Sequence, residues 1–443
     1  MKNQLMILLL SAFSLHSLAQ STYTLDEAVV SALKNNEQVK QADIDVEISR
    51  AKVRETTAIG LPQVSGEATF NYFADIPTQV APANVFEPSA PADILVPLQF
   101  GLPYSTSAGL TASQLIFDGS YFVGLRASKA YLNYTLLGRE RTQIEVREQV
   151  SQLYFAVIAL NESLASLEKN MANMEKSARD AKAMAELGFM EQQDADQMKL
   201  AQSNLTYQID MATRQKDNLM NLLKFQMGVP VDQAIELTDS FEVLLGDPAE
   251  GAALDPQFAL ERHIDFRTVD QGEELSKLSL ANQRAKYFPQ VAGFFTHSQN
   301  GFGQDFGKLF SNDFYPTTIL GLQLNVPIFS SGMRYYQTKQ AKLELEKTQS
   351  QKRMVMQNLQ LQAMNARRDY MSASENLQLV DDNLKLAERI KISTEKKYGE
   401  GVASSLEYTQ SESQYLQTLS TYISTAQEVF NAKLALNKAL GIQ

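Results

Sequence analysis

Residues 61–73, LPQVSGEATFNYF, alternate strictly between two kinds of side chain. Phe70 and its alternate neighbours are apolar or small, whereas Glu67 and its alternate neighbours are polar. A period of two residues predicts a β-strand with one apolar face and one polar face. In a water-soluble sandwich the apolar face would pack against a second sheet, so the number of such strands decides the fold.

Three further stretches, at about 104–117, 289–297 and 317–329, are also predicted to be strands. The first and third alternate in the same way, and 289–297 shares the Pro-Gln-Val start of residues 62–64. The last of them carries an apolar row with leucine on alternate positions. Each stretch is about 10–13 residues long, which is near the length that a tilted strand needs to cross a bilayer. The intervening residues, 74–103 and 298–316, are expected to form exposed loops.

The second half of the chain repeats the first. LPQVSGEATF at 61–70 is matched by FPQVAGFFTH at 288–297, and each half then contains a long run of apolar residues with the 4-3 spacing of a coiled-coil seam. The phase of the seam holds until Lys391, which takes the place of Ala178. The seam residues are Val146, Val150, Leu153, Val157, Leu160, Leu164, Leu167, Met171, Met174 and Ala178 in the first half, and Leu359, Ala363, Ala366, Tyr370, Ala373, Leu377, Val380, Leu384 and Ala387 in the second.

The predicted fold is mainly α-helical with a small β part and an internal duplication. Each half contains a leading helix, a β-hairpin and a pair of helices, the first of which would be about 100 Å long at 1.5 Å per residue. A capping box from Thr24 to Glu27 opens the first leading helix, and a break is expected at Asn35-Asn36. The predicted segments are a signal peptide (1–20), a first repeat (21–228) with its hairpin (61–117) and helix pair (120–228), a connector (229–254) packed against the middle of the helices, and a second repeat (255–443) with its hairpin (289–329) and helix pair (331–441).

Composition narrows the class of protein. Residues 1–20 carry a lysine, an apolar run and a small-x-small motif ending at Ala19, which is typical of a bacterial secretory signal peptide. The 443-residue chain has no cysteine, so it forms no disulfides, and its formal charge of −11 argues against nucleic-acid binding. Beyond the signal, no stretch approaches the 18 apolar residues of a membrane-spanning helix, so insertion into a membrane would require a barrel.

Side chains that carry chemistry are scarce. Outside the signal peptide, His263 and His297 are the two histidines, and there is no phosphate-binding loop or clustered set of metal ligands. The sequence therefore predicts no enzyme, no catalytic residue, no cofactor and no bound metal.

Four strands are too few to build a second sheet. In lipid, a four-stranded sheet leaves two edges of unpaired backbone N–H and C=O groups, each costing several kcal/mol. The edges vanish if identical copies pool their strands in a closed ring, and three copies supply twelve strands. The apolar rows would then face lipid and the polar rows would line a water-filled lumen. The candidate lumen-facing residues are Gln63, Glu67, Asn71, Gln323 and Asn325.

The ordered, double occurrence of these features resembles the TolC-like outer-membrane efflux proteins. The shared features are the Pro-Gln-Val strand starts, the Ile-Phe strand ends followed by glycine, and two G-x-x-x-x-x-[DE] helix turns that begin at Gly188 and Gly401. The resemblance implies a homotrimer with a shared 12-stranded β-barrel in the outer membrane of a Gram-negative bacterium and a long α-helical coiled-coil barrel in the periplasm. It also implies docking onto a periplasmic adaptor and an inner-membrane pump or exporter, as the exit duct of a tripartite efflux or type I secretion system.

The resemblance assigns roles to residues at the helix tips. In the family, acidic residues on the inner helix of the second tip form rings that constrict the pore and favour cations. By position Glu407 falls at the first acidic site and the uncharged Gln410 at the second, so a single ring is expected. Asp194 and Asp196 are the counterparts on the first tip.

A simpler role for Glu407 stays open. Ser404-x-x-Glu407 is itself a capping box, and an acidic residue in the first turn of a helix is stabilised by the helix dipole. Glu407 is therefore a gate, a helix cap or both. The candidate adaptor-docking residues beside the two turns are Gly188, Phe189, Gly401, Val402 and Ala403.

A periplasmic coiled-coil adaptor without its own barrel is the alternative function. Adaptors also carry long helical hairpins, but they need a compact β domain beside the helices. Here the strands come as two separate hairpins at equivalent positions of the repeat, which favours the channel.

Overall fold

A computed structural model describes residues 21–246, 259–309, 311 and 313–442. The predicted signal peptide (1–20) and the end of the predicted connector (247–254) lie outside these residues. The helices are α1 (Leu25–Asn35), α2 (Glu37–Ala58), α3 (Gly119–Glu186), α4 (Gln192–Met227), α5 (Phe241–Leu245), α6 (Ile264–Ala285), α7 (Phe306–Leu309), α8 (Met333–Gly399) and α9 (Ser405–Ala439). The strands are β1 (Ser21–Tyr23), β2 (Gln63–Tyr72), β3 (Thr78–Pro82), β4 (Leu95–Gln99), β5 (Tyr104–Asp118), β6 (Ile235–Leu237), β7 (Gln290–Gly303) and β8 (Tyr315–Asn325).

The described residues form two compact units. The sheet unit consists of Glu47–Asn133 and Gln271–Gln349, and the helical unit consists of the described residues of Met1–Val46, Tyr134–Asp270 and Ser350–Gln443. In each half of the chain a helix, two strands of one sheet, a very long helix and a shorter helix follow one another. The predicted mainly α-helical fold and its internal duplication are confirmed.

A four-stranded antiparallel sheet with the strand order β2-β5-β7-β8 dominates the sheet unit. The two repeats join at its centre, where β5 pairs with β7 from Tyr104 opposite Gly303 to Asp118 opposite Gln290. The outer strands β2 and β8 are each paired along one side only in the described structure. Both therefore present a free row of backbone hydrogen-bonding groups.

The two faces of this sheet differ in polarity. Leu110 pairs with His297, and Phe295 pairs with both Ala112 and Leu320, so these side chains share one face because directly paired residues point the same way. Leucines along β8 on this face are highly exposed, with Leu320 at 82% and the next, two residues on, at 76%. None of the described residues covers this apolar face.

Three predicted details of the sheet unit were wrong. The segment 74–103 is not only loop, because β3 and β4 pair there as a small antiparallel hairpin. Strand β7 continues past residue 297 to Gly303, and a single helical turn, α7, follows it. Strand β8 ends at Asn325 rather than 329, shortly before Pro327, which has no N–H to continue the ladder.

Aromatic stacking holds the centre of the helical unit. The rings of Phe155 on α3 and Phe430 on α9 stack with their centroids 4.2 Å apart, and Phe241 of the connector stacks on Phe155 at 5.6 Å. The buried Tyr154 hydroxyl donates to the carbonyl of Tyr23, whose strand β1 pairs in parallel with β6. The described part of the connector therefore packs on the long helices. The seam residues of both halves are buried or partly buried.

The predicted helix break and cap both occur. Thr24 and Glu27 form a complete capping box at the start of α1. Asn36 separates α1 from α2, and its side-chain oxygen accepts from the Gln38 N–H at 2.8 Å while its amide donates to the Gln226 carbonyl at 2.8 Å. The residue at the break therefore hydrogen-bonds the leading helix to the end of α4.

The two glycines that end α3 and α4 provide a test of this packing. Gly228 and Gly188 have similar positive φ angles, +67° and +79°, but a Cβ on Gly228 would lie 2.4 Å from the Asn35 carbonyl oxygen, whereas none of the described atoms lies within 4 Å of one on Gly188. We expect Gly188→Ala to cost about 1–2 kcal/mol of unfolding free energy from backbone conformation alone. Gly228→Ala should cost about 1–3 kcal/mol more because the core is overpacked. Denaturant unfolding followed by circular dichroism measures both, and equal losses would contradict the packing.

Candidate functional site

The two helix tips have the same backbone geometry. Gly188 after α3 and Gly401 after α8 adopt left-handed φ angles of +79° and +72°. The residue after each glycine donates its N–H back to the helix, Phe189 to Met184 and Val402 to Lys397, both at 2.8 Å. These bonds satisfy carbonyls that the helix end would leave free. The predicted glycine-ended turns are thus built identically in both repeats.

Apolar side chains are exposed at these turns. Phe189 is 83% exposed and Val402 is 73% exposed, whereas Ala403 is partly buried. A Cβ on either turn glycine would meet none of the described atoms, so another molecule could approach the backbone closely there. The five predicted docking residues therefore lie at the surface of the tips, except that Ala403 is half-covered.

Glu407 is exposed and caps its own helix. Its carboxylate accepts hydrogen bonds from the Ser404 N–H at 2.8 Å and the Ser404 hydroxyl at 3.1 Å, and its own N–H donates to that hydroxyl. The hydrogen bond from the Ser404 N–H, followed by the one from its hydroxyl, lowers the pKa of Glu407 below its ordinary value. The carboxylate is therefore held ionised at the start of α9. Gln410 lies one turn further along α9 and is exposed.

The two acidic candidates on the first tip make different contacts. Asp194 is partly buried and accepts a hydrogen bond from the Ser405 hydroxyl, which ties the start of α4 to the start of α9. Asp196 is exposed and accepts from Gln192 in its own helix at 2.9 Å. Asp194 thus joins the two tips of one chain through Ser405, which lies two residues before Glu407. Asp196 does not take part in that contact.

A buried ion pair near the tips was missed by the sequence analysis. Lys391, which breaks the apolar seam, is 7% exposed, and its ammonium group lies 3.3 Å from the carboxylate of the buried Glu412 on α9. The ammonium also donates to Asn170 on α3 and lies 4.5 Å from the centre of the Tyr415 ring. The charged residue at a seam position was the available signal, but its partners lie on other helices.

Burial shifts the pKa of the acidic member of this cluster. It raises the pKa of Glu412, and the neighbouring Lys391 charge opposes that rise. Close by, the rings of Tyr398 and Tyr408 stack at 5.0 Å, and burial raises the pKa of Tyr408 to about 12. The end of α8 and the first turns of α9 are therefore held together by stacked rings and a buried charge pair.

The candidate lumen-facing residues share one face of the sheet. Gln63, Glu67 and Asn71 alternate along β2, and their partners on β5 are Ser113, Gly109 and Ser105. Gln323 and Asn325 on β8 pair with Ala292 and Gln290, which lie on the same side of β7 as Thr296, the partner of Thr111. This face is opposite the one that carries the exposed leucines.

The histidines are part of the structure around them. His263 is buried, and its Nδ1 accepts from the Asp265 N–H at 3.2 Å. Burial lowers the pKa of His263 below its ordinary value. His297 forms a 2.8 Å hydrogen bond with Thr318 across two strands. Within the described ranges, no three His, Asp or Glu side chains are grouped as metal ligands.

One expectation about hydrophobic segments needs correction. In the described part of the chain, helix α3 contains an 18-residue window with a mean hydropathy of 1.2, long and apolar enough to cross a membrane by composition. However, 56% of that window is buried inside the structure, as in the core helix of a water-soluble unit. The apolar residues of α3 that pack at the centre of the helical unit, such as Val150 and Phe155, explain this composition.

The sequence model of the outer membrane efflux protein family matches residues 28–228 and 256–442. The chain belongs to the outer membrane efflux protein family. A comparison with curated proteins gave no significant match.

Solved structures show the same fold. The chain is similar to CusC, in a study of its folding and transmembrane channel formation, with a TM-score of 0.73 at 17% identity, covering 94% of this chain and 91% of that one. It is also similar to the Campylobacter jejuni CmeC outer membrane channel (TM-score 0.70, 18% identity, 94% and 85% covered). The outer membrane protein VceC of Vibrio cholerae gives a TM-score of 0.68 at 14% identity, with 94% and 96% covered. As an outer membrane efflux protein, the chain belongs to a family of channel proteins rather than of enzymes.

The buried ion pair of this efflux protein can be tested by removing one charge or both. Lys391→Met leaves the Glu412 carboxylate buried without its counter-ion, which should lower the free energy of unfolding by about 3–5 kcal/mol near neutral pH. The folded-state pKa of Glu412 is raised, so the folded chain binds the proton more tightly than the unfolded chain. The loss should therefore be smallest at acid pH and grow as the pH rises through the folded-state pKa.

The double variant Lys391→Met/Glu412→Leu is the matched control. It replaces both charges with apolar side chains, so most of the lost stability should return and the pH dependence should disappear. Denaturant unfolding of the three proteins at acid and neutral pH measures both effects. Equal destabilisation of the single and double variants would contradict a compensated charge pair.

Proposed function

We propose that three copies of this chain form an outer-membrane channel, the exit duct of a tripartite efflux or type I secretion system. The observation that carries the proposal is the sheet, which exposes an apolar face and, in the part of the chain that the structure describes, leaves β2 and β8 each unpaired along one side. In lipid, both edges must find hydrogen-bonding partners. Pairing of β2 from one copy with β8 of the next provides them, and cyclic closure of three copies gives a barrel of twelve strands.

The polarity of the two faces supports the same assembly. With the leucine-rich face toward lipid, Gln63, Glu67, Asn71, Gln323 and Asn325 line the lumen. The likeness to CmeC, described as an outer membrane channel, supports this arrangement. The signal peptide predicted at 1–20 is consistent with export, and the outer membrane of a Gram-negative bacterium is the proposed location.

The proposed segments follow the repeat. The first repeat is 21–228 and the second is 255–443, with a connector at 229–254 between them. At the tips, the exposed Phe189 and Val402 beside the turn glycines are proposed to contact a periplasmic adaptor that is coupled to an inner-membrane pump or exporter. A glycine-ended turn without a side chain lets a partner helix approach closely.

The constriction is proposed to form at the second tip. Threefold closure brings three copies of Glu407 around one axis, and their ionised carboxylates favour cations over anions. Gln410 contributes an uncharged ring beside them. Asp194, which accepts a hydrogen bond from Ser405, and the exposed Asp196 are the acidic candidates for the constriction on the first tip.

Two neighbouring residues of β8 test the membrane-spanning sheet. Leu322→Arg places a charge on the apolar face and should cost about 2–4 kcal/mol if that face meets the bilayer centre. Gln323→Arg places the same charge on the polar face and should be tolerated. The measurement is the fraction of folded oligomer in the outer-membrane fraction, by fractionation and by cross-linking of the extracted protein. A periplasmic adaptor would instead wash off membranes or follow the inner membrane, and equal recovery of both variants would contradict the channel.

The role of Glu407 is tested by separating its charge from its cap. Glu407→Gln removes the charge, whereas Ser404→Ala removes the capping hydroxyl at about 1 kcal/mol of helix stability and keeps the charge. In single-channel recordings, Glu407→Gln should reduce cation selectivity and block by divalent ions, while Ser404→Ala should preserve both. If Glu407→Gln leaves selectivity and block unchanged, Glu407 is only a cap.

A further inference from the structure

An apolar groove lies at the helix-bearing end of the sheet. It is formed within the sheet unit where β5 passes into α3 and where α6 approaches β7, and its volume of about 630 Å³ is in the range of small-molecule pockets. Its apolar lining includes Phe117, Phe122, Leu280 and Phe288. Helices α3 and α6 both line the groove, and further from the sheet Gln271 on α6 donates to the Ala130 carbonyl on α3 at 2.9 Å.

The groove continues the apolar face of the sheet. Phe117 on β5 pairs with Val291 on β7, which pairs with Leu324 on β8, so the three side chains share the face that is proposed to meet lipid. Apart from Leu345 on α8, the groove is lined by residues where the central strands β5 and β7 meet α3 and α6, whereas copies of the chain are proposed to join at the outer strands β2 and β8. A neighbouring copy is therefore not the expected occupant.

Unpaired positive charges accompany the apolar lining. Arg284 lines the groove, is exposed, and forms no ion pair with any described residue. Lys277 also lines the groove, but its ammonium group lies 3.0 Å from the Glu273 carboxylate. Arg284 therefore carries the uncompensated charge on the α6 side of the groove.

Helix α3, on the other side of the groove, also carries an aromatic residue followed by basic residues. Phe122, Arg126 and Lys129 are spaced i, i+4 and i+7 along α3, so they share one face of the helix. Arg126 and Lys129 are exposed and form no ion pair among the residues that the structure describes. Aromatic side chains thus lie next to the sheet and free cations lie one to two turns beyond them, in a chain whose formal charge is −11.

An apolar groove with basic residues beyond it matches a ligand that has an apolar chain and an anionic group. We propose that the groove binds an anionic phospholipid of the inner leaflet, with its phosphate near Arg284 and Arg126 and an acyl chain against Phe122, Leu280 and Phe288. Guanidinium groups bind phosphate through paired N–H donors, and aromatic side chains are enriched at membrane interfaces. The inference rests on the proposed function, because it requires the sheet to cross a bilayer and places the groove at its periplasmic surface.

The test compares two charge-neutralising double variants of the full-length protein extracted in mild detergent. Arg126→Gln/Arg284→Gln removes the two groove charges, and Lys176→Gln/Arg179→Gln removes two exposed cations near the other end of the same long helix. Native mass spectrometry follows binding of added phosphatidylglycerol and phosphatidylcholine. The groove variant should bind phosphatidylglycerol about 10- to 30-fold more weakly than wild type, with phosphatidylcholine unchanged. The control variant should bind both lipids as wild type does.

Two further arms identify the ligand. Phe122→Ser should weaken binding of both lipids, and millimolar inorganic phosphate should not displace phosphatidylglycerol, because phosphate alone lacks the apolar contact. Equal loss in both double variants, no preference for the anionic lipid, or displacement by phosphate would overturn the inference. A membrane-inserted oligomer that shows no such preference overturns this inference alone. A protein that washes off membranes overturns the proposed function as well.

Discussion

Backbone hydrogen bonding at two sheet edges is the constraint on which the rest of the structure depends. Among the described residues, strands β2 and β8 each have one unpaired side, and nothing covers the leucine-rich face between them. In water, the exposed apolar face is unfavourable. In lipid, the two edges are unfavourable instead, since no solvent is present to hydrogen-bond with their backbone groups. A ring of identical copies in a membrane removes both at once. The apolar groove where β5 and β7 meet α3 and α6 belongs to the same argument, because it lies away from the edges that copies would use.

Duplication explains how a four-stranded sheet arises, and departures from it indicate where the halves differ in role. Pairing of β5 with β7 joins one hairpin from each repeat. At the tips the backbone turns are equivalent, yet Asp194 is bound by Ser405, whereas the exposed Glu407 caps its own helix. The buried pair of Lys391 with Glu412 has no counterpart in the first repeat, where Ala178 occupies the position of the lysine. The two tips therefore share one backbone turn but differ in the contacts that hold their side chains.

Periodic features of this chain could be predicted from sequence, and features made by contacts across the chain could not. A period of two marked β2, β5 and β8, the internal repeat marked β7, and the 4-3 spacing marked the buried seams. Strand β4 was not predicted because LVPLQ contains a proline, which argues against a strand unless the strand is short and at an edge. Lys391 was visible as a charge in an apolar seam, but Glu412 lies on a different helix, and no local pattern links the two. The same holds for the bond between Ser405 and Asp194.

The cap and the proposed gate at Glu407 support each other. Three carboxylates brought together around a threefold axis repel one another, which raises the pKa of each and favours the neutral acid. An N–H and a hydroxyl donated by Ser404 act in the opposite direction, since they stabilise the charged form and lower the pKa. Capping would therefore offset the repulsion that the proposed assembly introduces and would favour the ionised form of the proposed ring. A residue that looks like an ordinary helix cap in one chain can for this reason serve as the charged constriction of three.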